Sequence, residues 1–242
     1  MRTPAVVASL AVLVGACGPN AAPDETAVRD GRVDAPASGA GVPTAPGAAA
    51  PGPVAAQPGE QGGTADWRAV ASSEDASRLG RLDQAWRLAR AEAEDKGFAA
   101  EVEALGPLVD PNAARADGLP PPPGAYRCRS IKLGSNGSGG PGYLAYPFFR
   151  CTVELTPGGD LVLTKATGSQ RTRGLLYPDS DRRLVYIGAQ AWGADETGYP
   201  AYGQTPERDQ IGVFERVGSD RWRLVLPWPK QDSKLEILEL LR

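Results

Sequence analysis

Between Gly18 and Thr64 the chain carries no aromatic residue, no Leu and no Ile, and is built mostly from Ala, Gly and Pro. Such a stretch cannot bury enough apolar surface to offset the entropy of ordering it. It is expected to be a disordered tether. All five Trp, all seven Tyr and all four Phe of the 242 residues come after it, so one globular domain is expected over 65–242.

Charge and composition then remove whole classes of function. The formal net charge is -3, and the acidic excess lies in the tether, where Asp24, Glu25, Asp30, Asp34 and Glu60 face only Arg29 and Arg32. The globular part is close to neutral and lacks the basic footprint that nucleic-acid binding requires, so no nucleic-acid partner is expected. The chain has no His. That removes His-dependent Ser and Cys nucleophiles and every imidazole zinc site, and three Cys fall short of a Cys-only structural zinc. No metal, no cofactor and no enzymatic activity are expected.

The N-terminus gives a compartment. Met1 to Pro4 carries one positive charge and precedes an apolar run from Ala5 to Ala16. That run is well short of the ~20 apolar residues of a spanning helix, so residues 1–16 read as a signal peptide. "Val14-Gly15-Ala16-Cys17" resembles the lipobox of bacterial lipoproteins. The resemblance implies that Cys17 is lipidated and begins the mature chain; the alternative is an ordinary signal peptide with an incidental Cys. Gly18, where Asp would imply inner-membrane retention, implies the periplasmic side of the outer membrane. With Cys17 assigned to lipid, Cys128 and Cys151 remain, and an even pair outside the cytoplasm is expected to form a disulfide. A reactive thiol pair is the alternative, without the close Cys-x-x-Cys spacing of redox sites.

Periodicity supplies the fold class. Ser72 is placed as a helix N-cap and Gly97 as the residue after the helix end, with Leu79, Leu82, Trp86, Ala89 and Ala93 forming one stripe between them. Phe98, Val102 and Leu105 repeat the helical spacing, so residues 65–110 are expected to form a helical hairpin. Pro120 to Pro123 make a stiff spacer. Over 124–242, eight alternating runs separated by "TPGGD", "PDSD" and "VGSD" predict antiparallel strands. They begin near Ala125, Tyr146, Asp160, Arg171, Arg183, Gln210, Arg221 and Lys234. The fold class is therefore α+β, a helical hairpin followed by a lipocalin-like β-barrel of about eight strands or a strongly bent meander sheet. Alternation assigns Phe149, Cys151, Val153 and Leu155 to one inward face, Val185, Ile187, Ala189 and Ala191 to another, and Trp222, Leu224 and Leu226 to a third.

Three stretches are candidates for chemistry. "GSNGSGGPG", Gly134 to Gly142, lacks the Lys-Ser/Thr end of a phosphate-binding loop and precedes a strand, so it is expected to be a mobile hairpin loop. Arg171 and Arg173 project from one sheet face, and Arg182 and Arg183 follow across a hairpin. The four offer either an anion grip or surface ion pairs with Asp179, Asp181 and Glu154. The long loop from Trp192 to Asp209 brings Trp192, Tyr199 and Tyr202 to the rim of any pocket.

The stretches "DWRAVASSEDASRLGRLDQAW", "GAYRCRSIKLG", "YPFFRC", "GSQRTRG", "PDSDRRLVYIGA" and "ERDQIGVFERVGSDRWRLVLPWP" resemble an uncharacterised domain-of-unknown-function family of bacterial envelope proteins. More loosely, the Gly-Ala-Tyr-Arg-Cys strand and the hairpin order are similar to lipocalin-type barrels and to small periplasmic protease-inhibitor barrels. The family resemblance brings no activity with it; the chain is expected to be a non-enzymatic, lipid-anchored periplasmic binding or interaction module whose partner is an envelope protein or a small ligand, with a protease-inhibitor-like barrel as the alternative and an enzyme using carboxylates as the third reading. Metabolic labelling with palmitate is expected to mark the wild type and not Cys17→Ser; an unlabelled wild type or a labelled variant overturns the lipid assignment.

Overall fold

The computed structural model describes residues 66–137 and 139–242. The expected signal peptide, Cys17 and the expected tether lie outside the described residues. Helical structure opens with α1, Trp67–Val70, capped by the Asp66 side chain. Ser72 then caps α2, Ser73–Gly80, its hydroxyl accepting the Asp75 N–H at 3.1 Å. The expected continuous helix divides at Arg81, and α3 runs over Leu82–Asp95. At the break the Arg81 carbonyl accepts both the Ala85 N–H at 3.0 Å and the Trp228 indole N–H at 3.3 Å. Gly97 has φ 89°, a conformation that glycine adopts without strain, and it leads into α4, Ala99–Glu103. None of these helices is long and apolar enough to cross a membrane.

The strands are β1 Gly124–Leu133, β2 Tyr143–Ala145, β3 Phe149–Leu155, β4 Leu161–Lys165, β5 Arg171–Pro178, β6 Leu184–Ala191, β7 Asp209–Gly218, β8 Arg221–Pro227 and β9 Leu235–Leu241. All pairings are antiparallel, and from β3 to β9 each strand pairs with the next in chain order. β1 pairs with β3 on one edge and with β9 on the other, from Arg127 opposite Leu241 to Leu133 opposite Leu235. The sheet therefore closes into an eight-stranded barrel of β1 and β3 to β9. β2 extends the β3 edge along the far half of β1. A single strand starting at Tyr146 was the sequence expectation; Pro147, which has no N–H to donate, separates β2 from β3, while Tyr146 still donates to the Ser130 carbonyl at 2.9 Å.

Two buried clusters share this barrel wall. Inside the barrel lie Leu119, Tyr126, Cys128, Cys151, Val153, Leu163, Leu176, Tyr186, Phe214, Trp222, Leu224 and Leu238. Between the outer wall and the helices lie Trp67, Trp86, Val102 and Leu108 against Ile131, Leu175, Val185, Ile187, Val213, Val225 and Ile237. Because helices cover one side, every residue of β6 is buried. This corrects the inward assignment of Val185 and Ile187: they face the helices, while Leu184 and Tyr186 point into the barrel. Alternation marks two faces but, when both are covered, cannot say which is inside. Leu155, also read as inward, is 58% exposed at the end of β3.

One end of the barrel is plugged. The proline run passes beneath it, with Leu119 buried, the Leu119 carbonyl accepting the Trp222 indole N–H at 3.0 Å and the Pro122 carbonyl accepting the Tyr126 hydroxyl at 2.6 Å. The Tyr126 and Trp222 rings meet edge to face at 5.8 Å. The Cys128–Cys151 disulfide joins β1 to β3 in the same layer, with Cα atoms 5.8 Å apart. It closes a 23-residue separation, for which loop entropy gives about 3 kcal/mol.

The helical layer is fastened by Arg223, a residue 0% exposed on the outer face of β8. Its Nε donates to Glu215 of β7 at 2.8 Å and its Nη2 lies 2.7 Å from the same carboxylate. Its Nη1 reaches the carbonyls of Pro107, Leu108 and Asp110 at 2.9, 3.0 and 2.8 Å. Its guanidinium also lies 5.3 Å from the Trp86 ring centroid. Arg223→Met leaves a largely buried carboxylate and three carbonyls without their donor, and we expect it to lower stability by about 3–5 kcal/mol in urea unfolding. Adding Glu215→Leu to that variant is expected to recover part of the loss.

Candidate functional site

A cleft of about 440 Å³ lies on the outside of the barrel. Its floor is the outer face of β5 and β6, with Arg173, Leu175, Tyr177 and Ile187; Val70 and Ser72 form one wall, and the segment from Tyr199 to Gly203 forms the roof, with Asp209 at one end. Floor and roof come from elements that the chain keeps apart, and three sets of contacts bring them together.

The first is Arg171. It is buried, and its guanidinium donates to the carbonyls of Gly168 at 3.2 Å, Gly193 at 2.7 Å and Glu196. It thereby folds the long β6–β7 loop back over the barrel wall. Arg208 holds the middle of the loop, bonding both oxygens of Glu196 at 2.9 and 2.8 Å and lying 4.8 Å from the Trp192 ring centroid. Tyr199 donates to the Lys165 carbonyl at 2.8 Å, and the Gly203 N–H donates to Asp209 at 2.9 Å.

The second is Tyr202, whose hydroxyl donates to Asp75 of α2 and accepts the Ser72 N–H at 2.9 Å. Asp75 is buried and also takes the Arg78 guanidinium, which reaches on to the carbonyls of Asp209 and Trp228 at 3.2 and 3.1 Å. Burial works to raise the Asp75 carboxyl, but the hydrogen bonds from Tyr202 and Arg78 outweigh it and hold it below the usual range. Burial and the bond to Asp75 push the Tyr202 phenol up to about 12. Burial also pushes the Asp209 carboxyl up; the Gly203 N–H works against this and the nearby Asp75 charge adds to it.

The third is Asp179. Its carboxylate accepts the Trp67 indole N–H at 2.7 Å and the Arg183 guanidinium at 2.8 Å, so the β5–β6 turn holds α1 beside the cleft. Burial opposes ionisation of Asp179, and those two bonds with the Arg68 and Arg183 charges bring it below the usual carboxylate range.

The four arginines singled out by sequence are thus distributed. Arg173 lines the cleft, Arg171 is engaged by loop carbonyls, Arg183 pairs with Asp179, and Arg182 is exposed, 3.9 Å from Asp181. Of the three aromatic residues, Tyr199 and Tyr202 roof the cleft, while Trp192 lies outside its lining and is 39% exposed. The glycine-rich segment is the hairpin between β1 and β2 and is pinned: Lys96 donates to the Gly140 carbonyl at 2.8 Å, Asn136 to the Pro229 carbonyl at 3.0 Å, and the Ser135 N–H to Glu92 at 3.1 Å. Among the described residues no group of three or more His, Cys, Asp or Glu comes together to hold a metal ion.

Sequence reasoning missed Val70, Leu175, Tyr177, Ile187 and Asp209 as lining residues. Leu175, Tyr177 and Ile187 carried only a core signal, and Ser72 read as a cap, which it also is. Tyr202→Phe removes the donor to Asp75 and the acceptor of the Ser72 N–H, and we expect a loss of about 1–2 kcal/mol in urea unfolding at neutral pH. A lowered carboxyl stabilises the fold above its unfolded pKa and ceases to do so as pH falls through the folded one. The gap between wild type and variant is therefore expected to narrow in acid.

No curated protein and no solved structure matches the chain. The family model that matches is that of a domain of unknown function, over residues 67–240, from the first turn of α1 to the last pairs of β9. That span takes in the whole cleft lining and the barrel up to Leu240, and the chain belongs to the DUF4893 family.

Proposed function

We propose that this protein is a lipid-anchored periplasmic binding module, and that its ligand is a small amphipathic molecule held in the outer cleft. The observation that carries this reading is the cleft itself. Its volume of about 440 Å³ falls in the range of small-molecule sites, and it combines an apolar floor with a few convergent polar groups. Leu175, Tyr177, Ile187 and Val70 offer an apolar bed, Tyr199 an aromatic edge, and Arg173, Ser72 and Asp209 polar contacts. Each wall is fixed by buried or partly buried hydrogen bonds, so little ordering is left for the ligand to impose.

The looser likeness to lipocalin-type barrels is a proposal that eight barrel strands in meander order support. The ligand place differs: side chains fill the middle of this barrel, and the cleft lies on its wall. The lipid on Cys17 and the periplasmic side of the outer membrane are supported by the N-terminal sequence alone.

The test uses anilinonaphthalene sulfonate, an aromatic anion that fluoresces on leaving water. One equivalent is expected to bind with a blue-shifted emission, and Val70→Trp or Ala201→Trp, which fill the cleft from its wall and its roof, are expected to weaken it by at least about tenfold. Binding unchanged by both substitutions, or no saturable binding, overturns the reading. A lipid or metabolite fraction of the envelope that displaces the probe from wild type then identifies the ligand class.

A further inference from the structure

The barrel interior is divided by polarity. The half near the proline plug is apolar, whereas the opposite half carries Ser130, Lys132, Lys165, Thr172, Gln190, Gln210 and Glu236, all buried. Lys132, Thr172 and Gln210 have side-chain partners within the protein. Lys132 donates to the Gln170 side chain and to both Asp232 oxygens, each at 2.8 Å. Thr172 joins the Tyr186 hydroxyl at 2.5 Å and the Gln210 side chain. Arg171 is held by three loop carbonyls.

Lys165 differs from its neighbours. Its ammonium has three donors, and one goes to a neutral acceptor, the Gln170 carbonyl, at 2.7 Å. It lies 4.4 Å from the Phe149 ring centroid and forms no ion pair among the described residues. It also lines a small cleft of about 100 Å³ at this end of the barrel, together with Ser130, Tyr146, Phe149, Ser169 and Gln170. That volume is on the scale of about three water molecules.

The charges around it leave room for one more anion. Lys132 from β1, Lys165 from β4 and Arg171 from β5 meet the carboxylates of Glu236 from β9 and Asp232 from the β8–β9 turn, with the Tyr146 ring beside Lys132. We infer that the open end of the barrel is a binding site for a small carboxylate anion, held by the Lys165 ammonium and the hydroxyls of Ser130 and Ser169. It is separate from the outer cleft and does not rest on that reading. Without the anion, burial lowers the Lys165 amine below the ordinary lysine range; Glu236 works against the shift, and Lys132 and Arg171 add to it. A bound carboxylate favours the protonated amine, so anion and proton bind together. By linkage, affinity falls as pH rises through the lowered Lys165 pKa.

The test titrates the full-length chain with sodium acetate and follows the backbone amides of Ser130, Ser169 and Gln170 by nuclear magnetic resonance. Saturable shifts are expected at these residues, weaker at about pH 9.5 than at about pH 7, and phosphate, which is bulkier, is expected to bind less well. Lys165→Met is expected to weaken acetate by at least about tenfold, while Val70→Trp in the outer cleft leaves it unchanged. Proton uptake by the wild type on adding acetate in weakly buffered alkaline solution checks the same coupling without any variant. Absence of saturable shifts, equal binding by Lys165→Met, or binding without proton uptake overturns the proposal.

Discussion

The two layers of this domain meet at one fully buried guanidinium. Arg223 joins a cross-strand carboxylate on β7 to three carbonyls of the turn that follows α4. A buried arginine is tolerated only when its donors are matched, and here its Nε and Nη2 go to Glu215 and its Nη1 to backbone. The carbonyls it takes up belong to a short 3-10 turn, Gly106–Leu108, and its exit, where the chain leaves the helices with acceptors that no helical N–H can satisfy. The position of the helical layer on the barrel follows from that match. So do the burial of both faces of β6 and the location of the outer cleft.

Inside the barrel, glycine and tyrosine set the curvature and the filling together. Gly174 of β5 lies opposite Gly188 of β6, and a Cβ on either would meet the partner strand's backbone within 2.5 Å and the Tyr186 ring or hydroxyl within 2.7 Å. Their missing side chains leave the space that the Tyr186 ring occupies, and its hydroxyl reaches the polar half of the interior at Thr172. Burial raises the Tyr186 phenol well above its ordinary range, so it stays protonated there. An eight-stranded barrel has an interior that side chains can fill, and this one is filled through its middle. Space for ligands is therefore left outside the wall and at the polar end.

The outer cleft results from three buried or half-buried polar links that replace a covalent frame. Arg171 folds the β6–β7 loop, Tyr202 ties that loop to α2 through Asp75, and Asp179 ties α1 to the β5–β6 turn. In each, a charged or phenolic group serves backbone or side-chain partners on another element of the fold. Arg171 and Arg183 hold the site together, and Arg173 lines it.

Much of the fold was legible in the sequence because its signals are local. Alternation and turn residues marked the eight barrel strands to within a few residues at most ends, the cysteine count selected the Cys128–Cys151 bridge, and Ser72 and Gly97 marked helix ends by their own chemistry. The short β2 was missed because three residues give too little alternation to read. The side of β6 that faces inward was misread because both its faces are apolar. By itself, the sequence determined the eight barrel strands, their chain order and the apolar positions, since these follow from period-two patterning and backbone propensity. Only the tertiary structure decided which face is inside, which backbone and carboxylate groups Arg171 and Arg183 meet, and that Ser72, Tyr202 and Asp209 surround one cleft, because each depends on packing between separate elements that no local pattern links; Tyr202 meets Ser72 and Asp75 across more than a hundred residues.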